Sequence, residues 1–171
     1  MMRATIVMAA MAALLAVAPA AMAAEETADG LKATVQAIVD AAKAGKGEEV
    51  QKLTEALFLP DAGKFFTEVF GEELGKKLAE EYARLPKAEL AKLFEKVAKD
   101  GRTNVTAWKI AGADDENATG LQKEAIKAMK KPVALYSVRM AEPGKTSGMT
   151  LWSFVYVDGA FRIAGKMRAV R

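Results

Sequence analysis

Apolar residues return at three- and four-residue intervals through the first half of the chain and at two-residue intervals through much of the second. Leu31, Val35, Ile38 and Ala42 form one helical stripe, closed by the glycines at 45 and 47. Val50, Leu53 and Leu57 mark a second helix that stops before Pro60, and Phe65, Phe66, Val69 and Phe70 mark a short aromatic third. Leu74, Leu78 and Tyr82 line a fourth. Pro86 stands where a first helical turn tolerates a missing N–H, and it opens a fifth helix along Leu90, Leu93, Phe94 and Val97 that ends at Lys99 and Gly101. Charged residues mostly take the opposite faces, so the stripes predict core packing.

After Gly101 the period shortens. Residues 103–111 alternate around Thr106, Trp108 and Ile110, as a strand does. A polar link over 112–118 leads to a helix predicted over 119–131, with Thr119 and Gln122 spaced as a capping box. A meander of three strands, 133–140, 149–157 and 160–169, finishes the chain. Asp158-Gly159 is a strong two-residue hairpin signal. Extending its register places Tyr156 opposite Phe161, Phe154 opposite Ile163 and Trp152 opposite Gly165, on one face with Met167. That face is expected against the helices, around Leu90, Phe94 and Val97. On the other, Leu135, Leu151, Val155 and Val157 are ringed by Arg139, Arg162, Lys166 and Arg168. An apolar centre with a charged rim is the anatomy of an association site, so a homodimer through this outer face is expected.

The first 23 residues do not belong to this pattern. Arg3 precedes an uncharged Ala-, Met- and Leu-rich run over 6–17, and Ala21-Met22-Ala23 is followed by Glu25 and Glu26. This is the layout of a secretory signal peptide, and the run is shorter than the ~20 apolar residues of a membrane span. The expectation is an exported protein, periplasmic or extracellular and not membrane-spanning, with a single domain over 24–171. Zero Cys leaves stability to packing, and zero His removes the usual base near neutral pH, the commonest zinc ligand and the His-based triads. Residues 101–171 carry twelve Lys and Arg against six Asp and Glu, whereas 24–100 carry twelve against sixteen. A basic half of this kind reads first as a solvated face and second as a surface for anions. No nucleic-acid motif accompanies it.

Helices followed by an antiparallel sheet that ends in Phe154-Val155-Tyr156-Val157-Asp158-Gly159-Ala160-Phe161-Arg162-Ile163 resemble the nuclear-transport-factor-two-like superfamily. The resemblance covers 133–168 most closely. It implies an α+β fold, N-terminal helices packed on a curled, cone-like sheet, with a cavity between the two. The superfamily includes isomerases, cyclases, lipid carriers and non-catalytic binding domains, so the resemblance marks a fold and not an activity.

Strand alternation offers Trp108, Tyr136, Trp152 and Tyr156 as ligand-binding cavity linings and brings no Asp or Glu onto their face. No catalytic residue, cofactor or metal is therefore assigned. Lys145-Thr146-Ser147-Gly148 lacks the partner Ser-x-x-Lys of penicillin-recognising enzymes and reads as a hairpin loop. Residues 71–77 are one residue short of a phosphate loop. Asp115-x-Asn117-x-Thr119-Gly120 opens like a calcium loop, but its twelfth position is Ile126 where a bidentate Glu belongs. The function expected is non-catalytic binding of a small apolar or amphipathic ligand, or a protein partner, in the cavity. The alternatives are an isomerase- or cyclase-like enzyme using Tyr and Asp/Glu, or a structural module with a filled core.

Overall fold

The glycines and prolines that punctuate the first half end its helices where they were expected to. The computed structural model describes residues 24–171, and the expected signal segment lies outside the described residues. Helices α1 (Ala28–Lys43), α2 (Gly47–Glu55), α3 (Ala62–Phe70), α4 (Glu72–Ala83) and α5 (Lys87–Lys99) come first. Gly45 and Gly101, both at positive φ, follow α1 and α5. At each the next two amides turn back onto the last helical carbonyls: Gly45 to Ala42 and Lys46 to Ala41, then Gly101 to Ala98 and Arg102 to Val97. This double bond satisfies carbonyls that a helix end otherwise leaves open. α4 crosses α3 so closely that a Cβ on Gly75 would lie 2.6 Å from Thr67 Cα. No helix among the described residues is long and apolar enough to cross a membrane.

Strand β1 (Asn104–Ile110) follows, then α6 (Gly120–Ala128). The capping box is present: Thr119 accepts the Gln122 N–H at 3.3 Å while the Gln122 side chain accepts the Thr119 N–H at 2.9 Å. α6 stops three residues before the expected 131. The Lys130 and Lys131 amides donate to the Val69 carbonyl at the end of α3, and Pro132 disfavours helical geometry in the residue ahead of it.

Strands β2 (Leu135–Ala141), β3 (Gly148–Val157) and β4 (Ala160–Ile163) complete a curled, unclosed antiparallel sheet in the order β1-β2-β3-β4. Asp158 and Gly159 both take positive φ, as the two-residue hairpin requires. The register is as expected from Val157 opposite Ala160 back to Phe154 opposite Ile163. Beyond that point the expectation fails. Ser153 adopts φ 64°, and the β2–β3 ladder passes from Tyr136 opposite Phe154 to Ser137 opposite Trp152, leaving Ser153 as an extra residue. Such a bulge reverses the parity of everything on its far side. Trp152 therefore shares a face with Ser137 and not with Phe154, and at 42% exposure it is no core residue. Nor does it cover Gly165. Gly165 and Met167 take positive φ, so β4 ends at Ile163 where 160–169 was expected, and the chain closes in a 3-10 turn, η1 (Arg168–Val170).

Helices cover both sides of the sheet, so there are two cores. On the inner face Val105, Tyr136, Val138, Met140, Phe154 and Phe161 pack with Leu31, Val35, Ile38 and Val39 of α1, Val50 of α2, and Phe94 and Val97 of α5. On the outer face Ile110, Leu135 and Val155 pack with residues of α3, α4 and α6, together with Ala164 and Met167. This corrects the outer-face expectation. Leu135 and Val155, the centre of the expected association patch, are each 1% exposed beneath the chain's own helices, and Leu151 packs against the inner core. The outer edge of β4 is also occupied, because the Ile163 amide donates to the Leu57 carbonyl and Phe58 forms a parallel bridge to Ile163.

Phe154→Ala should then cost about 3–5 kcal/mol, the usual range for removing a buried aromatic, while Trp152→Ala should cost under about 1 kcal/mol, as at exposed positions. Urea denaturation of the two variants measures the difference, and equal losses would mean that β3 runs without its bulge.

Candidate functional site

The early end of β4 opens a concavity beside the sheet. β3 continues through 148–152 after β4 has turned away, so this half of the strand has no neighbour on that side. α4 and α5, joined through Leu85 and Pro86, wall the space that is left. The result is a groove of about 1040 Å³ floored by Leu151, Trp152 and Ile163, with Leu85, Leu90 and Leu93 along its helical side. That volume lies at the upper end of the range for small-molecule sites. Phe58 also lines it, with the Lys87 ammonium 5.2 Å from its ring centroid.

The rim is charged and unevenly so. Lys77, Arg84, Lys92, Lys96, Lys166 and Arg168 border the groove against Glu80, Glu81 and Glu89. Three of these bases are committed to ion pairs: Lys77 to Glu73 at 3.1 Å, Lys92 to Glu89 at 2.9 Å and Lys96 to Asp100 at 2.9 Å. Glu81 accepts the Ala169 N–H at 3.0 Å.

Of the four residues expected to line a single cavity, Trp152 alone borders this groove. Tyr136 and Tyr156 lie on the inner face, each with its ring edge-on to Phe161 at 5.2 Å. Their hydroxyls reach back to the start of the domain, where Tyr136 donates to the Glu26 carbonyl at 3.2 Å and Tyr156 to the Ala24 carbonyl at 2.5 Å. Trp108 is on the outer face, in a row with Ser137 and Trp152 across three strands. The Arg139 guanidinium sits 5.2 Å from its ring, and its indole N–H has no partner among the described residues. The bulge at Ser153 thus separates Trp152 from the tyrosines, the β1–β2 register sets Trp108 opposite Ser137 and away from Tyr136, and packed side chains fill the space where a shared cavity was expected. Sequence reasoning missed the groove's helical wall and the Arg84, Lys166 and Arg168 rim. Two signals pointed there: a three-residue Arg84-Leu85-Pro86 link between amphipathic helices, and Gly165 interrupting an apparent strand.

Neither inner tyrosine hydroxyl bonds to a carboxylate among the described residues. Burial pushes the Tyr136 hydroxyl above its ordinary pKa, and the Glu26 charge adds to the rise. Asp115, from the calcium-like stretch, spends its carboxylate on the Ala111 and Asn117 amides at 2.8 Å each, bonds that hold its pKa below the usual carboxylate value. The stretch is a self-capped loop leading into α6. Among the described residues no three His, Cys, Asp or Glu side chains gather as a metal-ligand set.

Tyr82, in the outer core, accepts the Leu59 N–H at 2.7 Å, and burial raises its pKa above the ordinary 10.0. A pKa raised in the folded state means that the fold favours the protonated phenol. The stabilisation is complete below pH 10, the unfolded value, and is lost as pH rises through the folded value. Denaturation midpoints should therefore fall as pH climbs past 10, and Tyr82→Phe should flatten that fall while costing stability at neutral pH through the unpaired Leu59 amide.

No protein-family model, curated protein or solved structure matches this chain.

Proposed function

We propose that this chain is an exported, non-catalytic domain that holds a small apolar or amphipathic ligand in the groove between α4, α5 and β3. Trp152 carries the reading. It is the exposed large hydrophobic residue among those described, and it stands in the groove beside half-buried leucines. A bulky aromatic left open to water in a concave apolar site favours a ligand that covers it. Holding rather than transforming is supported by the chemistry at hand. The inner tyrosine hydroxyls are bound to backbone carbonyls, and neither His nor Cys is present to act as base or nucleophile. Export is supported by the layout of residues 1–23.

A second reading is self-association through what remains open of the outer face. Exposed Trp152, with half-buried Trp108 and Arg139 on the same face, favours this on a smaller patch than was expected.

Nile red, a neutral hydrophobic dye, tests the groove with the chain starting at Ala24. Its emission should rise on binding, and Trp152→Ala should weaken binding about tenfold, or about 1.4 kcal/mol. Tyr156→Phe should leave it unchanged. Binding that is indifferent to Trp152 would remove the groove reading. Light scattering at high micromolar concentration addresses the second, which needs a dimer that Arg139→Glu disrupts.

A further inference from the structure

We infer that the groove's ligand is an amphiphile with one anionic head, a carboxylate or phosphate monoester, held by Arg84, Lys166 and Arg168, its apolar chain lying along Leu85, Leu90 and Leu93. The inference rests on the groove being a ligand site, and it adds the chemical class. The distribution of charge carries it. Lys77, Lys92 and Lys96 along the helical walls are each neutralised by an acid on their own helix or at its end. Arg84, Lys166 and Arg168 have no ion pair among the described residues, and all three are exposed.

These three come together because two segments meet at one end of the groove. Arg84 is the C-cap residue of α4. The chain around Lys166 and Arg168 is fastened to that helix by the Ala169 amide on Glu81, and Gly165 lies against Leu85, whose Cδ1 is 3.4 Å from the position of a Cβ on that glycine. Of the acids on the rim, Glu89 is paired with Lys92, while Glu80 and Glu81 keep their charge, Glu81 as the acceptor of this amide, so three cations face two carboxylates. α5 begins at this end, at Pro86, and α4 ends here at Arg84, so the partial positive charge of one helix end is offset by the partial negative charge of the other and the three side chains supply the positive charge. Apolar floor and concentrated positive charge together match an acid-headed chain, which places its charge at the rim and its methylenes on the leucines.

Oleate, oleoyl lysophosphatidate and monooleoylglycerol share one acyl chain and differ in the head, so titrating each below its micelle concentration isolates the charge. Displacement of Nile red is the readout, backed by isothermal titration. Both acids should bind at least tenfold tighter than the neutral glyceride. In Arg84→Gln/Lys166→Gln/Arg168→Gln the three affinities should converge within about twofold, with an unchanged urea midpoint. Raising salt should shrink the preference in the wild type alone. Equal binding of all three amphiphiles overturns the inference and leaves the groove reading intact, whereas failure of all three and of Nile red overturns both. Inorganic phosphate that displaces the dye as well as lysophosphatidate does would overturn the acyl-chain half. Binding to lysophosphatidate-containing vesicles without binding to the monomer would assign the cations to a membrane surface and overturn the inference.

Discussion

Ser153 holds its backbone at φ 64° with its side chain buried, and the ladder to β2 falls one residue out of step around it. A non-glycine residue in this region costs on the order of 1–3 kcal/mol, so it persists where the surroundings over-determine it. Here both cores do so. Phe154 is needed among the inner aromatics and Val155 among the outer aliphatics, while Leu151 is drawn to the inner core from the far side of the bulge. Without the extra residue, Trp152 would follow Phe154 inward, into space that Phe94, Phe161 and Tyr136 already occupy. The Ser153 carbonyl also accepts the Ala164 amide at 2.8 Å, a last tie before β4 breaks away. The groove floor and the aromatic in it both follow from that one residue.

A sheet covered on both faces buries polar side chains, and most such groups need a partner. Ser137 points into the outer layer at 0% exposure and meets the Gln122 amide, itself 0% exposed, at 3.1 Å. The other end of that amide accepts the Thr119 N–H, so the cap of α6 also orients the group that anchors α6 to β2. A buried chain of this kind is fully effective when each member is paired. It turns a local helix-start signal into a tertiary restraint.

Much of the scaffold was legible because its causes are local. Helical stripes, the glycine stops after α1 and α5, the Thr119 capping box and the Asp158-Gly159 hairpin each depend on residues within a few positions of one another. The hairpin register held for the four pairs nearest the turn and failed at the fifth. Nothing in Leu151-Trp152-Ser153-Phe154 announces a positive φ, because Ser lacks glycine's freedom and the bulge is imposed by two cores that the strand itself does not encode. The two-sided burial was hidden for a similar reason: Ser137 and Arg139 on the outer face look like solvent positions. The candidate site suffered most. Trp152 was recognised as a lining residue from its chemistry, but the groove joins α4, α5 and the C-terminal turn, whose proximity no periodicity reveals.

The bonds from Tyr136 and Tyr156 to the carbonyls of Glu26 and Ala24 span sequence separations of 110 and 132 residues. They fasten the first described residues to β2 and β3, and α1 behind them lays its stripe on strands made after all five leading helices. During synthesis those helices emerge with Leu31, Val35 and Ile38 facing no sheet, and the inner core can condense only once nearly the whole chain has been delivered. Pairings this distant slow folding, because loop-closure entropy is lost before any contact is gained. A chain of this topology closes its inner core last, when the C-terminal strands arrive beneath helices made long before them.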